Sequence, residues 1–250
     1  MPSGWMRWVL EQFEFPYEIT YPQDLNQGNL TDKYDVLVFV NGAIPEVDEG
    51  DGQSNRFRRS PDPATIPQEY QGMMGSVTAD TTIPQLRQFL EDGGTIVTIG
   101  SSTAMAQHLD LPLTSHMVDE SGGPLSNDEY FIPGSILQVQ VDNTLPIAYG
   151  LAERVDVSFN RSPVLRLAAE SAGQRVRPVA WFESDSPLRS GWAWGQEKLD
   201  GGIAIVEADV GEGKLYLFGP EIVRRSQPHG TYKFLFNAIY LAGAEEENIR

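Results

Sequence analysis

Gly93-Gly94-Thr95-Ile96-Val97-Thr98-Ile99-Gly100-Ser101-Ser102-Thr103-Ala104-Met105-Ala106-Gln107-His108-Leu109 is the stretch that decides the fold. The Gly-Gly pair releases the chain from a helix. Five residues, mostly β-branched, then predict a strand, a glycine allows a sharp turn, and small residues open a new helix. In open α/β sheets, ligands and catalytic groups sit beyond the carboxyl ends of strands. The Gly100-Ser101-Ser102 turn is therefore the first place to look for chemistry. The plainer alternative is a tight strand-to-helix connection.

Working outward, Asp35-Val36-Leu37-Val38-Phe39-Val40 is a continuous apolar run, as expected of a strand buried on both faces of a parallel sheet. It ends at Asn41-Gly42-Ala43, a second strand terminus with a flexible backbone. Upstream, Trp5, Trp8, Val9 and Phe13 recur at helical spacing, with Ser3 placed as N-cap and Pro16 as the stop. Tyr17 to Tyr21 reads as a short strand. Thr82 opens another helix; Gln85 fits a capping box, and Leu86, Phe89 and Leu90 form its buried face.

Residues 44–80 lose periodicity and read as one long insertion loop, punctuated by prolines and glycines. Arg56, Arg58 and Arg59 form its basic knot, able to grip a carboxylate or an acidic surface. A loop of this length in a compact domain is usually functional or disordered.

Downstream, Ile136 to Val141 alternates apolar residues with Gln, which predicts an edge or half-exposed strand. Short strands follow at Val155–Phe159, Val164–Leu167 and Val179–Phe182. Ile203–Asp209, Gly211-Glu212-Gly213 and Lys214–Phe218 read as an antiparallel hairpin. Thr231 caps a final helix with Leu235, Phe236, Ile239 and Tyr240 inward. Early strands alternate with helices, so the expectation is one α/β domain over residues 1–250: a parallel sheet flanked by helices, with extra antiparallel strands in the C-terminal half.

Composition narrows the function. The net charge is -17. A surface this acidic repels phosphate backbones and anionic lipid, which argues against nucleic-acid and membrane partners. The chain has no cysteine, which removes disulfides, thiol nucleophiles and thiolate metal sites. Helical pattern begins at once after Met1, where an α/β domain usually opens with a strand. The expectation is a segment of a longer protein, without a signal peptide of its own.

Four constellations compete. A hydrolytic set places Ser101 or Ser102 as nucleophile, His229 as base and Glu221 as its orienting carboxylate, with Gly42 and Gly100 backbone groups near the oxyanion. The surrounding Ile-Gly-Ser-Ser-Thr is not the Gly-x-Ser-x-Gly elbow, and Ser102 or Thr103 can serve simply as a helix N-cap. Metal binding has only His108, His116 and His229 to draw on, with Asp119 or Glu120 beside His116; the expectation is no metal site and no cofactor. Gly-Ser-Ser-Thr lacks the glycine and lysine spacing of a phosphate loop. Finally, Trp181, Phe182, Trp192 and Trp194 cluster beside Arg189, suited to a sugar, a peptide or another domain.

Several of these segments together resemble one arrangement. They are Gly4–Phe13, Lys33–Phe39, Gly93–Thr103, Pro187–Trp192, Gly213–Gly219 and Gln227-Pro228-His229-Gly230, with Leu188-Arg189-Ser190-Gly191-Trp192-Ala193-Trp194-Gly195 the most specific. The chain is similar to the carboxy-terminal region of bacterial zinc carboxypeptidase-like proteins of the carboxypeptidase A type. There a peptidase domain precedes a domain of the flavodoxin-like, class I glutamine amidotransferase-like fold.

That resemblance implies a secreted or periplasmic parent protein whose zinc lies in the peptidase domain. It also implies an upstream peptidase domain as partner, and it is compatible with a homodimer. The fold places a cysteine at the elbow, where this chain has Ser101 and Ser102. Active relatives carry His-x-Glu before the last helix, where His229 is followed by Gly230 and Thr231. The family's strand ahead of the first helix is also missing. The first expectation is thus a non-catalytic accessory domain for docking or substrate binding. Its grip would come through the arginine knot and the tryptophan patch. The alternatives are a serine hydrolase using Ser101 or Ser102, His229 and Glu221, and a binding module for sugars or cationic peptides through at least two of Trp181, Trp192 and Trp194.

Overall fold

The computed structural model describes residues 1–47, 62–168 and 176–244. Arg56, Arg58 and Arg59 lie outside the described residues.

Helix α1 (Pro2–Gln12) buries Met6, Val9 and Leu10, an i, i+3, i+4 stripe. Two residues expected inward, Trp8 and Phe13, are 46% and 50% exposed. Ser3 is not the cap: the helix starts at Pro2, whose fixed φ suits a first helical position. Phe13 instead packs at the helix end against Tyr232 and Phe236. The strand expected at Tyr17–Tyr21 does not form. Residues 17–20 pair with no strand; they are followed by a short helix, α2 (Pro22–Leu25).

Strand β1 (Val36–Phe39) leads into the long connection, which is not featureless where described: it holds a 3-10 turn at Pro63–Thr65 and helix α3 (Gln68–Gln71). Helix α4 (Thr82–Glu91) buries Leu86, Phe89 and Leu90 as its spacing predicts. No capping box forms. Thr82 is buried, and its hydroxyl donates to Asn26 Oδ1 (2.7 Å) and accepts from the Thr78 N–H (3.1 Å). Strand β2 (Thr95–Ile99) is buried along its whole length, and a 3-10 turn over Gly100–Ala104 hands it to helix α5 (Met105–His108).

The strands that follow are β3 (Leu113–Ser115), β4 (Ser135–Val141), β5 (Arg154–Phe159), β6 (Leu165–Leu167), β7 (Val176–Trp181), β8 (Leu188–Ser190), β9 (Ile203–Val210) and β10 (Gly213–Phe218). Helix α6 (Tyr232–Ala242) closes the described chain. Leu235 is buried in α6 as expected, whereas Tyr240 is 69% exposed. Thr231 occupies the N-cap position but its hydroxyl donates to the carbonyl of Ile222 (2.5 Å), so it ties the helix to β10's exit rather than capping it.

Among the described residues, all ten strands join one mixed sheet. Its main path runs β1-β2-β10-β9-β7-β4-β5, while β3 pairs with β6, β6 with β9, and β8 with β4. Only β1, β2 and β10 run parallel; Val36–Phe39 face Thr95–Thr98, and Lys214–Phe218 face Thr95–Ile99. The expected hairpin forms, with Gly213 opposite Val210 and Phe218 opposite Ile205. Strand β4 alternates buried and half-buried residues as read, yet it is no edge: β5, β7 and β8 all pair with it.

Two apolar cores cover the sheet. One gathers Met6, Val9 and Leu10 of α1, Phe234 and Leu235 of α6, and Val97 and Ile99 of β2. The other gathers Leu86, Phe89 and Leu90 of α4, Met105 of α5, and Leu37, Phe39 and Ile96. The carboxyl ends of β1, β2 and β10 therefore open at one rim between two helical layers, where an open α/β sheet places its site.

Candidate functional site

Three strand ends deliver three side chains to this rim. Strand β2 ends at Ile99, and Gly100, which follows it, has a φ of +61°. A Cβ there would lie 2.5 Å from Asn41 Oδ1, so both the turn and the close approach require glycine. Asn41, beyond β1, fills that space. Its Oδ1 accepts from the Ser101 N–H (2.9 Å) and the Ser101 hydroxyl (3.0 Å). Glu221, beyond β10, is buried, and Asn41 and Arg224 face its carboxyl. Burial pushes the Glu221 carboxyl up from its ordinary range; Arg224 and the Asn41 hydrogen bond pull against that.

Ser102 is committed to structure. It is fully buried, its hydroxyl donates to the carbonyl of Val40 (2.6 Å), and its oxygen accepts from the N–H groups of Ala43 (3.0 Å) and Ile44 (3.1 Å). This fastens the turn around Gly42, whose φ is +80°. The backbone donors of Ser101, Ala43 and Ile44 are thus already taken, and the Gly100 carbonyl accepts from the Thr103 hydroxyl (2.8 Å).

The hydrolytic relay is not assembled. The exposed His229 stacks on Tyr232 at 5.1 Å between ring centroids. Among the described residues its ring makes no hydrogen bond to Glu221, Ser101 or Ser102. Ser101 is half-buried, and its hydroxyl partner is a carboxamide, which is no general base.

From Glu221 the rim continues. Arg224 Nη1 donates to Asn160 Oδ1 (2.9 Å), with the Asn160 amide turned so that its nitrogen faces the carbonyl of Pro133. Two residues back, Phe131 meets Trp192 edge-on (5.9 Å), and the Arg161 guanidinium lies 4.6 Å above the Phe131 ring. Trp192 and Trp194 are each 53% exposed, so the aromatic shelf the sequence suggested stands at the surface. Trp181 is half-buried, and Phe182 belongs to the core.

The shelf is pinned from below. Ser135 Oγ donates to the carbonyl of Trp192 (2.6 Å) and accepts from its N–H (3.0 Å), and Trp194 Nε1 donates to the carbonyl of Asp128 (2.7 Å). Arg189 is drawn away to Asp156 (3.5 Å). Asn41, Asn160, Arg161 and Arg224 escaped the sequence reading as site residues. Only Asn41 had a local signal, its place at a strand terminus.

As for metals, His108 Nε2 donates to the carbonyl of Pro45 (2.8 Å), and His116 Nδ1 is buried without a partner. Among the described residues, no group of three or more His, Asp or Glu side chains comes together. No helix of the described residues is long and apolar enough to cross a membrane.

The comparisons set this architecture beside known folds. No family profile matches the chain, and the curated proteins give no match. Among solved structures, a GMP-synthase-subunit-A-type protein from Thermoplasma acidophilum is 13% identical with a TM-score of 0.52, covering 94% of this chain and 84% of its own. A ThuA-like protein from Bacteroides uniformis is 10% identical with a TM-score of 0.48, covering 98% and 84%. A β-galactosidase from Bacillus circulans is 11% identical with a TM-score of 0.42; this chain covers 21% of that enzyme. The first of these likenesses identifies the fold class: a mixed α/β sheet between helical layers.

Proposed function

We propose that this chain is a non-catalytic binding domain on a class I glutamine amidotransferase-like, flavodoxin-like scaffold. Its ligand is a carbohydrate laid against the Trp192–Phe131 shelf, with Asn41, Ser101 and Glu221 along the adjoining rim. The observation that carries the reading is the state of the elbow: Ser102 is spent on three main-chain groups, and Ser101 faces Asn41. A pinned pair of exposed tryptophans supplies rigid apolar faces at low entropic cost. The partner implied by the resemblance, a zinc carboxypeptidase-like domain, belongs to the same proposal as the protein this domain would serve.

Titration of the chain with a panel of neutral oligosaccharides, followed by tryptophan fluorescence, tests it. At least one is expected to saturate, and Trp192→Ala is expected to weaken that binding about tenfold or more, equivalent to ~1.4 kcal/mol. Silence across the panel, with saturation by cationic peptides instead, would assign the shelf to peptides.

A further inference from the structure

We propose that the carbohydrate held at the Trp192–Phe131 shelf carries a single carboxylate, a uronic acid among neutral sugars, and that Arg161 and Arg224 receive it. The inference rests on the carbohydrate reading of the shelf and adds the chemical class of the sugar. Elsewhere in the fold, Arg7, Arg87, Arg154, Arg177 and Arg189 each pair with an acid. Among the described residues, Arg161 and Arg224 form no such pair.

Both guanidinium groups are held in place with donors left for a ligand. Arg161 is exposed, and its guanidinium sits 4.6 Å from the centre of the Phe131 ring. A ring face holds a cation without consuming its N–H donors. Among the described residues, the Arg161 side chain makes no hydrogen bond. Arg224 gives Nη1 to Asn160, while its Nη2 lies 3.9 Å from the point where a Cβ on residue 134 would stand. That residue is Gly134, so no side chain there covers the group. Asn160 joins the two arginines, since its amide holds Arg224 and its main chain runs directly into Arg161.

The backbone carries a second sign. Arg161 has a φ of +49°, a left-handed conformation that glycine or asparagine adopts more cheaply. Its N–H donates to the carbonyl of Ile132 (2.9 Å), and the Asn160 N–H donates to Ser162 Oγ (3.1 Å), so the surroundings impose the turn. Imposed strain of this kind gathers at ligand clamps. Charge then narrows the ligand. The net charge of -17 opposes polyanions. A carboxylate brings one negative charge, where a phosphate monoester brings about 1.5 to 2. Arginine's planar fork matches a carboxylate through two parallel hydrogen bonds. Phe131 also meets Trp192 edge-on (5.9 Å), so one ring joins the indole to the guanidinium. A sugar stacked on Trp192 sets the carboxylate of its neighbour toward Arg161.

Calorimetric titration of the whole chain at physiological salt tests this. The probes are β-linked tetrasaccharides of glucose, mannose and galactose, each beside the same chain ending in the corresponding uronic acid. For at least one sugar, the acid form is expected to bind about tenfold tighter than the neutral form, as a charge-assisted contact provides. Arg161→Gln is expected to bring that ratio to within about twofold, and Arg161→Lys, which keeps the charge and loses the fork, to retain part of it. Arg87→Gln removes the same charge from a distant pair with Asp110 (3.2 Å) and is expected to preserve the ratio. Equal binding of acid and neutral forms overturns the inference and leaves the carbohydrate reading standing; binding of neither form overturns both. A ratio that survives Arg161→Gln, or that falls as far in Arg87→Gln, overturns the inference. So does a triglycine with a free carboxyl terminus that competes as strongly as the acid sugar, which would make the shelf a peptide site.

Discussion

Ser101 and Ser102 are neighbours with opposite employment. The Ser102 hydroxyl is fully buried and holds one carbonyl and two N–H groups. Removing it leaves the buried Ile44 N–H without its partner, while the Ala43 N–H and the Val40 carbonyl keep their bond to each other (3.1 Å). Ser102→Ala is therefore expected to lower unfolding free energy in urea by about 1–3 kcal/mol, the cost of one unsatisfied buried donor. Ser101→Ala, which loses a bond at a half-buried site, is expected to cost less than about 1 kcal/mol. Equal losses would show that the β1 turn does not hang on Ser102. Glu221 carries a pH signature. Its folded pKa is raised, so the folded state holds the proton more tightly than the unfolded one. Its contribution is most favourable below the unfolded carboxyl value and is lost as pH rises through the folded one. Glu221→Gln should gain melting temperature relative to the parent chain as pH rises above the ordinary glutamate value of about 4.3, and a difference that stays constant with pH would refute the raised pKa.

The turn after β2 shows what local pattern can and cannot disclose. A β-branched run followed by glycine announced a strand and a sharp turn, and both are there, because Gly100 adopts a left-handed φ that side chains resist. Gly100→Ala should cost about 1–3 kcal/mol and push Asn41 off Ser101; the Asn41 amide resonances in the variant would report the shift, and an unmoved Asn41 would contradict the packing described. The hairpin from β9 to β10 was equally legible, since its turn residues and strand residues lie side by side in sequence. Tyr17–Tyr21 failed as a strand because a strand needs a partner, and the edge of β1 stands across a groove. Likewise, β4 read as an edge or half-exposed strand; one face is half-exposed, but alternation reports that face and not the number of neighbours, and β4 is no edge. The relay of Ser101, His229 and Glu221 was plausible by order along the chain, but order does not say which way an imidazole turns. Here it stacks on Tyr232. Asn160 and Arg224 join the rim only through tertiary contact, so no spacing could have flagged them.

Taken together, the chain combines a three-strand parallel unit with a larger antiparallel half, and the two meet where β10 pairs with both β2 and β9. That junction sets Glu221 beside Asn41 and carries the rim round to the aromatic shelf. At the opposite margin stands β1, which among the described residues pairs with β2 alone. The proposed account is of a scaffold that grips rather than reacts, and its weakest point is the half-buried Ser101 hydroxyl. Intact-mass analysis after exposure to a fluorophosphonate probe tests this most directly. The account predicts an unmodified chain at Ser101 and Ser102. A one-to-one adduct on either serine that disappears in His229→Ala would contradict it.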